Sequence, residues 1–289
     1  MTRPVLLGML ASTLIAAFAA LRVADLAWRM SPTYDEPKHL ATGLTYLAQG
    51  WCCFGKDNTP MVGLNAAPLY AMGALPRLDV DDARLAVTAP AGQNPIRVRY
   101  YRARLANLIL LFLVLGGVAA LCGRAYGRAT GVLAALCLSL EPNLIANAAL
   151  VSPDFHVTAT MTLALLALAV QLDRGWSIAR VLASGVAIGA ALLSKYNALV
   201  LIPVALAVAA SLPAARWRER GARVLGAAAA CLVGAATVAL AYQLPRALGG
   251  LCGLGWWPFP DTALASALRQ AVDPPVQDGI AYGFLGGLD

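Results

Sequence analysis

Seven apolar runs decide what this chain can fold into. Residues 5–21, 105–122, 129–151, 155–172, 178–193, 198–212 and 224–244 are each predominantly apolar, and a helix needs roughly 20 such residues to cross a bilayer. With 60% of its 289 residues hydrophobic and 13% charged, the chain is too greasy for a water-soluble domain. The expected fold is all-α: a multi-spanning membrane bundle of about seven spans, with short interfacial helices in a long first outer loop.

The net charge of +7 is carried largely by short loops between apolar runs: Arg124 and Arg128, then Arg174 and Arg180, then Arg216, Arg218, Arg220 and Arg223. That is the distribution of positive residues facing the cytoplasm, so it reports orientation and no nucleic-acid partner is expected. With those loops inside, the N-terminus is cytoplasmic, and residues 22–104, the turns "VSPDF" and "SKYN", and everything after Leu244 face outward. The first run follows Arg3 and ends in "AAFAAL", a pattern shared with cleaved signal peptides, but six further runs downstream favour a retained anchor.

The first outer segment, 22–104, is far longer than an ordinary connection, and such loops are usually functional or disordered. Leu40, Leu44, Leu47 and Trp51 recur on one helical face, a stripe suited to a helix lying at the membrane surface. Thr33 and Glu36 stand in capping-box spacing at its start, with Pro37 tolerated in the first turn. Pro60, Pro68 and Pro76 break "DNTPMVGLNAAPLYAMGALP" into short helices or turns. Residues 77–99 are polar and turn-rich. No nucleotide-binding glycine loop, HExxH pattern or fixed-period repeat occurs. In the tail, Trp256 and Trp257 suit an interfacial belt.

No cysteine or histidine has metal-ligand spacing, so no metal site and no cofactor is expected, and a divalent-ion requirement is left open. Cys122, Cys137 and Cys231 fall in apolar runs. Cys52, Cys53 and Cys252 are expected outside, where a bridge from one of the vicinal pair to Cys252 and three free thiols are both open.

Three outward sites carry charge: Asp35 with Glu36, Asp154, and Lys195. Alternating spans bring all three to one side of the membrane. A carboxylate base, a second carboxylate and a cation at a membrane surface suit group transfer from a lipid phosphate to a hydroxyl or amine. Each residue also has a structural reading. The carboxylates favour helix N-termini, Lys195 can snorkel to headgroups, and neither His39 nor His156 has ligand spacing.

Four stretches then carry a resemblance. "YDEPKHLATGLTYL", "NTPMVGLNAAPLYAMGALP", "RARLANLILLFLVLGGVAALCGRAYGRATGVLAALCLSLEPNLIANAALVSPDF" and "GVAIGAALLSKYNALVLIP" resemble, in order and spacing, the polyprenyl-phosphate-dependent glycosyltransferases of family 39, the protein O-mannosyltransferase and aminoarabinose transferase type. The resemblance implies a transferase that moves a sugar from a polyprenyl-phosphate carrier, by inversion, to an unidentified acceptor on the outer face of the cell (inner) membrane. Protein hydroxyls, a lipid and an envelope glycan are all open as acceptor. It implies Asp35 as base with Glu36 beside it, Asp154 as the second acidic position, and Lys195 facing the donor phosphate. Lys38, His39, Asn58, Pro60 and Arg104 are the expected substrate-side contacts.

Where the family carries two prolines and, four residues later, a lysine, this chain has Thr59-Pro60 and Gly63. Residues 1–250 read as the N-terminal portion of the transferase's membrane domain, and 251–289 as an outer-loop segment cut short. On that reading the donor groove stays open to lipid until a downstream half or homologous partner covers it. The rival readings are a membrane transporter, which would place charge or broken helices near mid-membrane, and a non-catalytic half-protein needing a partner.

Overall fold

The computed structural model describes residues 3–49, 60–71, 96–213 and 217–249. Every apolar run lies mainly in helix, and no strand occurs among the described residues. In chain order the helices are α1 (Arg3–Arg29), α2 (Glu36–Gln49), α3 (Val62–Tyr70), α4 (Ile96–Leu105), α5 (Asn107–Tyr126), α6 (Arg128–Leu140), α7 (Pro142–Ala148), α8 (Pro153–Arg174), α9 (Ile178–Leu192), a 3-10 turn (Tyr196–Val200), α10 (Leu201–Ser211) and α11 (Trp217–Gly249).

Four stretches are long and apolar enough to cross a membrane: Leu10–Arg29, Arg97–Tyr126, Pro153–Arg174 and Trp217–Ala241. The α6–α7 pair, bent by 64°, makes a fifth if taken as one broken span. The two remaining apolar runs, the fifth and sixth of the seven, form α9 and α10 with its 3-10 turn and are shorter. The chain is thus an all-helical membrane protein, and the difference from seven full spans lies in these short helices. Large aliphatic side chains such as Leu113, Leu133, Leu165, Leu232 and Leu240 stand outward, where lipid would cover them.

Helix bounds overrun the apolar runs at the first outer segment. α1 continues to Arg29 because Val23 and Ala27 are buried on its inner face, and α4 leads almost without break into α5 from Arg97 onward. Pro142 ends α6, since proline offers no N–H to continue the ladder. The Glu141 side chain then caps α7 by accepting from the Leu144 amide, and Arg22 on α1 donates to the stranded Ser139 carbonyl at 2.9 Å.

The core divides about α8. One cluster joins α8, α9, α10 and α11 through Val157, Ala164, Ile188, Leu192, Leu201 and Val238. The other joins α1, α5, α7 and α8 through Val23, Leu111, Val114, Ile145 and Phe155. Against α11, Gly185 and Gly189 of α9 leave no room for a side chain: a Cβ at Gly185 would sit 2.4 Å from Val233 and one at Gly189 2.5 Å from Thr237. This is the small-residue seam by which membrane helices approach closely.

The α2 stripe corrects its sequence reading. Leu40 and Leu44 are buried against Ala66, Leu69, Tyr100, Ala103 and Val151, so protein rather than lipid covers them. Trp51 and residues 77–95 lie outside the described residues, as do Cys52, Cys53, Cys252 and residues 251–289 with Trp256 and Trp257.

Candidate functional site

Glu36 opens α2 and is the most constrained acid among the described residues. It is 1% exposed, and both oxygens are used twice. Oε1 accepts from Arg104 Nε and the Val151 amide, each at 2.8 Å, and Oε2 from Arg104 Nη2 at 2.6 Å and the Thr33 amide at 2.8 Å. The Thr33 contact is the returning half of the expected capping box. Arg104 is equally spent: Nη1 donates to the Ala27 and Met30 carbonyls at 2.8 and 2.9 Å, and Nη2 also to Ser31 at 3.1 Å. Neither residue offers a free lone pair or N–H to a substrate. Together they fasten the end of α1, the start of α2, α4 and the strand of chain before α8.

That clamp fixes what surrounds it. Asp35, next to Glu36, is exposed, and its carboxylate makes no hydrogen bond or ion pair among the described residues. Lys38 is half-buried and His39 buried, one turn further along α2. Val151, held by Glu36, lies three residues before Asp154. Ser152 caps α8 by accepting from the Asp154 amide at 3.1 Å, Pro153 fills the first helical position, and Asp154 occupies the first turn, where a carboxylate suits the helix dipole.

Across from it, Lys195 follows α9 and donates to Asp154 Oδ1 at 2.7 Å, with side chains 38% and 63% exposed. A hydroxyl contact of 3.1 Å between Thr160 and Ser194 secures the same corner. The Met61 amide reaches the Leu193 carbonyl at 3.4 Å, which brings Pro60 beside the end of α9. One end of the bundle therefore gathers Asp35, Glu36, Lys38, His39, Pro60, Arg104, Asp154 and Lys195. Asn58 lies outside the described residues.

Beneath this surface runs a buried polar chain that joins His156 to Asn65 and Asn107, two residues that the sequence reading did not single out. Asn107 Oδ1 accepts from Asn65 Nδ2 at 2.9 Å and faces His156 Nε2 at 3.1 Å, while its Nδ2 donates to the carbonyls of Ala148 and Leu150 at 3.0 and 2.7 Å. Asn65 also reaches the Ala103 carbonyl at 2.8 Å. As the Asn107 oxygen can only accept, His156 carries its proton on Nε2, and its Nδ1 has no partner. The signal for these residues was present: a polar side chain inside an apolar run is rare and buried in protein. Among the described residues no group of three His, Cys, Asp or Glu could hold a metal ion.

Comparison with known proteins adds one finding. The sequence profile of a family described as dolichyl-phosphate-mannose-protein mannosyltransferase matches residues 97–241, about half of the chain. That stretch includes Arg104, Asn107, Asp154, His156 and Lys195. No curated protein and no solved structure matches.

Proposed function

The chain belongs to the dolichyl-phosphate-mannose-protein mannosyltransferase family, a membrane glycosyltransferase of that kind, and on that premise we propose that it moves a sugar from a polyprenyl-phosphate carrier to an acceptor on the extracytoplasmic face. The observation that carries the reading is the exposed Asp35 carboxylate at the same end of the bundle as the 2.7 Å Asp154–Lys195 pair.

The reaction follows from what those groups can do. An acceptor hydroxyl attacks the anomeric carbon as the bond from that carbon to the phosphate oxygen breaks, and the sugar inverts. Asp35 takes the hydroxyl proton, since a hydroxyl becomes a competent nucleophile only as its proton leaves. The polyprenyl phosphate departs with the bonding electrons, and Lys195 meets the charge that develops there. One Nζ hydrogen is engaged by Asp154, which leaves two for the phosphate. Asp154 on this reading aims the lysine, and the Glu36–Arg104 clamp aims Asp35. Lys38, His39, Pro60 and Asn58 remain proposed contacts to the substrates. So does the downstream region expected to cover the donor, and the extracytoplasmic side itself rests on the arginine-rich loops at the other end.

The test is to supply polyprenyl-phosphate mannose labelled in the sugar to membranes carrying the chain, with and without a separately supplied C-terminal region of a family member. Transfer with inversion at the anomeric carbon is expected. Product of retained configuration would overturn the single displacement, and a label that stays on the lipid in both membranes would overturn the donor.

A further inference from the structure

Arg22 on α1 carries a charge that no carboxylate balances among the described residues. It is half-buried and stands directly after the apolar run of residues 5–21, where that run leaves the bilayer. Asp25, one turn further along α1, is held by Arg29 at 2.8 Å. Both oxygens of Glu141 serve the start of α7, one accepting from the Leu144 amide and one from Asn143 Nδ2. An arginine near a helix end ordinarily snorkels toward water. Here Nη1 is tied to the Ser139 carbonyl at 2.9 Å, beside the α6–α7 bend, and the guanidinium carbon stands 5.8 Å from the Phe18 ring, so the charge is tethered at that depth.

The tether uses one nitrogen only. Nε and Nη2 make no hydrogen bond or ion pair among the described residues. Those two nitrogens form one edge of the guanidinium fork, whose parallel N–H groups match two oxygens of a phosphate. Below that edge Leu10, Leu14, Phe18 and Leu21 stand outward on α1 at helical spacing, and on α6 Leu136 and Leu140 stand outward on either side of Ser139 in sequence. An unspent phosphate-binding edge above an apolar stripe suits a phosphate that carries acyl chains, whereas a free phosphate would leave the stripe without a role. The place is distinct from the phosphate position proposed at Lys195. α1 packs into the core cluster on one side of α8, and Lys195 follows α9, which packs into the cluster on the other.

We propose that Arg22 and the outward stripe of α1 hold an anionic phospholipid of the leaflet at the Asp35 end, with its phosphate on the Nε–Nη2 edge. A choline lipid brings its own cation to that place and is disfavoured. The purified full chain is examined by native mass spectrometry with phosphatidylglycerol, phosphatidylcholine of the same chains and soluble glycerol 3-phosphate, as wild type, Arg22→Gln and Arg22→Lys. Wild type should retain phosphatidylglycerol over both other compounds. Arg22→Gln should weaken that retention by about tenfold, the worth of one charge-assisted hydrogen bond. Arg22→Lys keeps the charge and a donor for the Ser139 carbonyl, which protects the fold, yet lacks the fork, so its retention should also fall, by a smaller factor. Equal retention of both lipids, glycerol 3-phosphate bound as tightly as phosphatidylglycerol, or retention unchanged in either variant would overturn the proposal. So would a wild-type dimer that Arg22→Gln dissolves with no change in bound lipid, since the face would then belong to a second copy of the chain.

Discussion

Replacing Glu36 by Gln keeps the side chain's shape and removes its charge, and the hydrogen bonds that converge on it set the consequence. Four donors converge on the carboxylate, two on each oxygen: Arg104 Nε and Val151 N on one, Arg104 Nη2 and Thr33 N on the other. A carboxamide keeps one oxygen, so whichever way it sits, one guanidinium N–H and one backbone N–H face an NH₂ group. Arg104 meanwhile stays charged and 1% exposed. Removing one member of a buried pair costs about 3–5 kcal/mol, and that is the expected loss on SDS titration followed by circular dichroism. Removing both members offers no escape here. In a Glu36→Leu, Arg104→Met double variant, the Ala27, Met30 and Ser31 carbonyls and the Thr33 and Val151 amides all lose their partner. The double should cost at least as much as either single change but less than their sum, by about 2 kcal/mol of coupling. Single variants within about 1 kcal/mol of wild type, or losses that simply add, would refute the clamp.

Four further outcomes are expected. Lys195→Met should raise the KM for polyprenyl-phosphate sugar by about 30-fold through loss of a charge-assisted contact, and unchanged donor use would leave Lys195 as Asp154's partner alone. Asn107→Leu strands two carbonyls and two side chains and should lower stability by about 3 kcal/mol in the same titration; no measurable loss would mean the network is not formed. Gly189→Val should push α9 off α11, at about 1–3 kcal/mol, whereas Gly116→Ala, with nothing within 4 Å, should be silent. Tyr46 donates to the Ala241 carbonyl at 2.7 Å, and burial holds its phenol up at about 12 against an ordinary 10.0. The unfolded phenol ionises first, so this contribution is whole below pH 10.0 and lost toward pH 12; a Tyr46→Phe variant with an undiminished alkaline slope would contradict it.

How far the sequence reached depends on the range of the interaction. Spans were legible because a bilayer writes its thickness into contiguous apolar residues. The α2 stripe was legible too, yet an apolar stripe looks the same under lipid or under protein, so Tyr100 and Val151 as its cover were not. Asp154 and Lys195 could be placed on one side by alternating spans, but their 2.7 Å contact could not, since the packing of α8 against the end of α9 sets it. Glu36 and Arg104 could not be paired, because residues 68 apart share no periodicity and a carboxylate at a helix start reads the same whether it caps or catalyses. Asn65 and Asn107 were visible as polar residues in apolar surroundings, but only the fold shows that they meet.

The account turns on Asp35 as the base, and the comparison of Asp35→Asn with wild type in the transfer of labelled mannose from polyprenyl phosphate tests it most directly. Asp35 is exposed, so the substitution should leave the unfolding midpoint in place while turnover falls by about 100-fold or more. Turnover equal to wild type in a variant folded as well as wild type would contradict it.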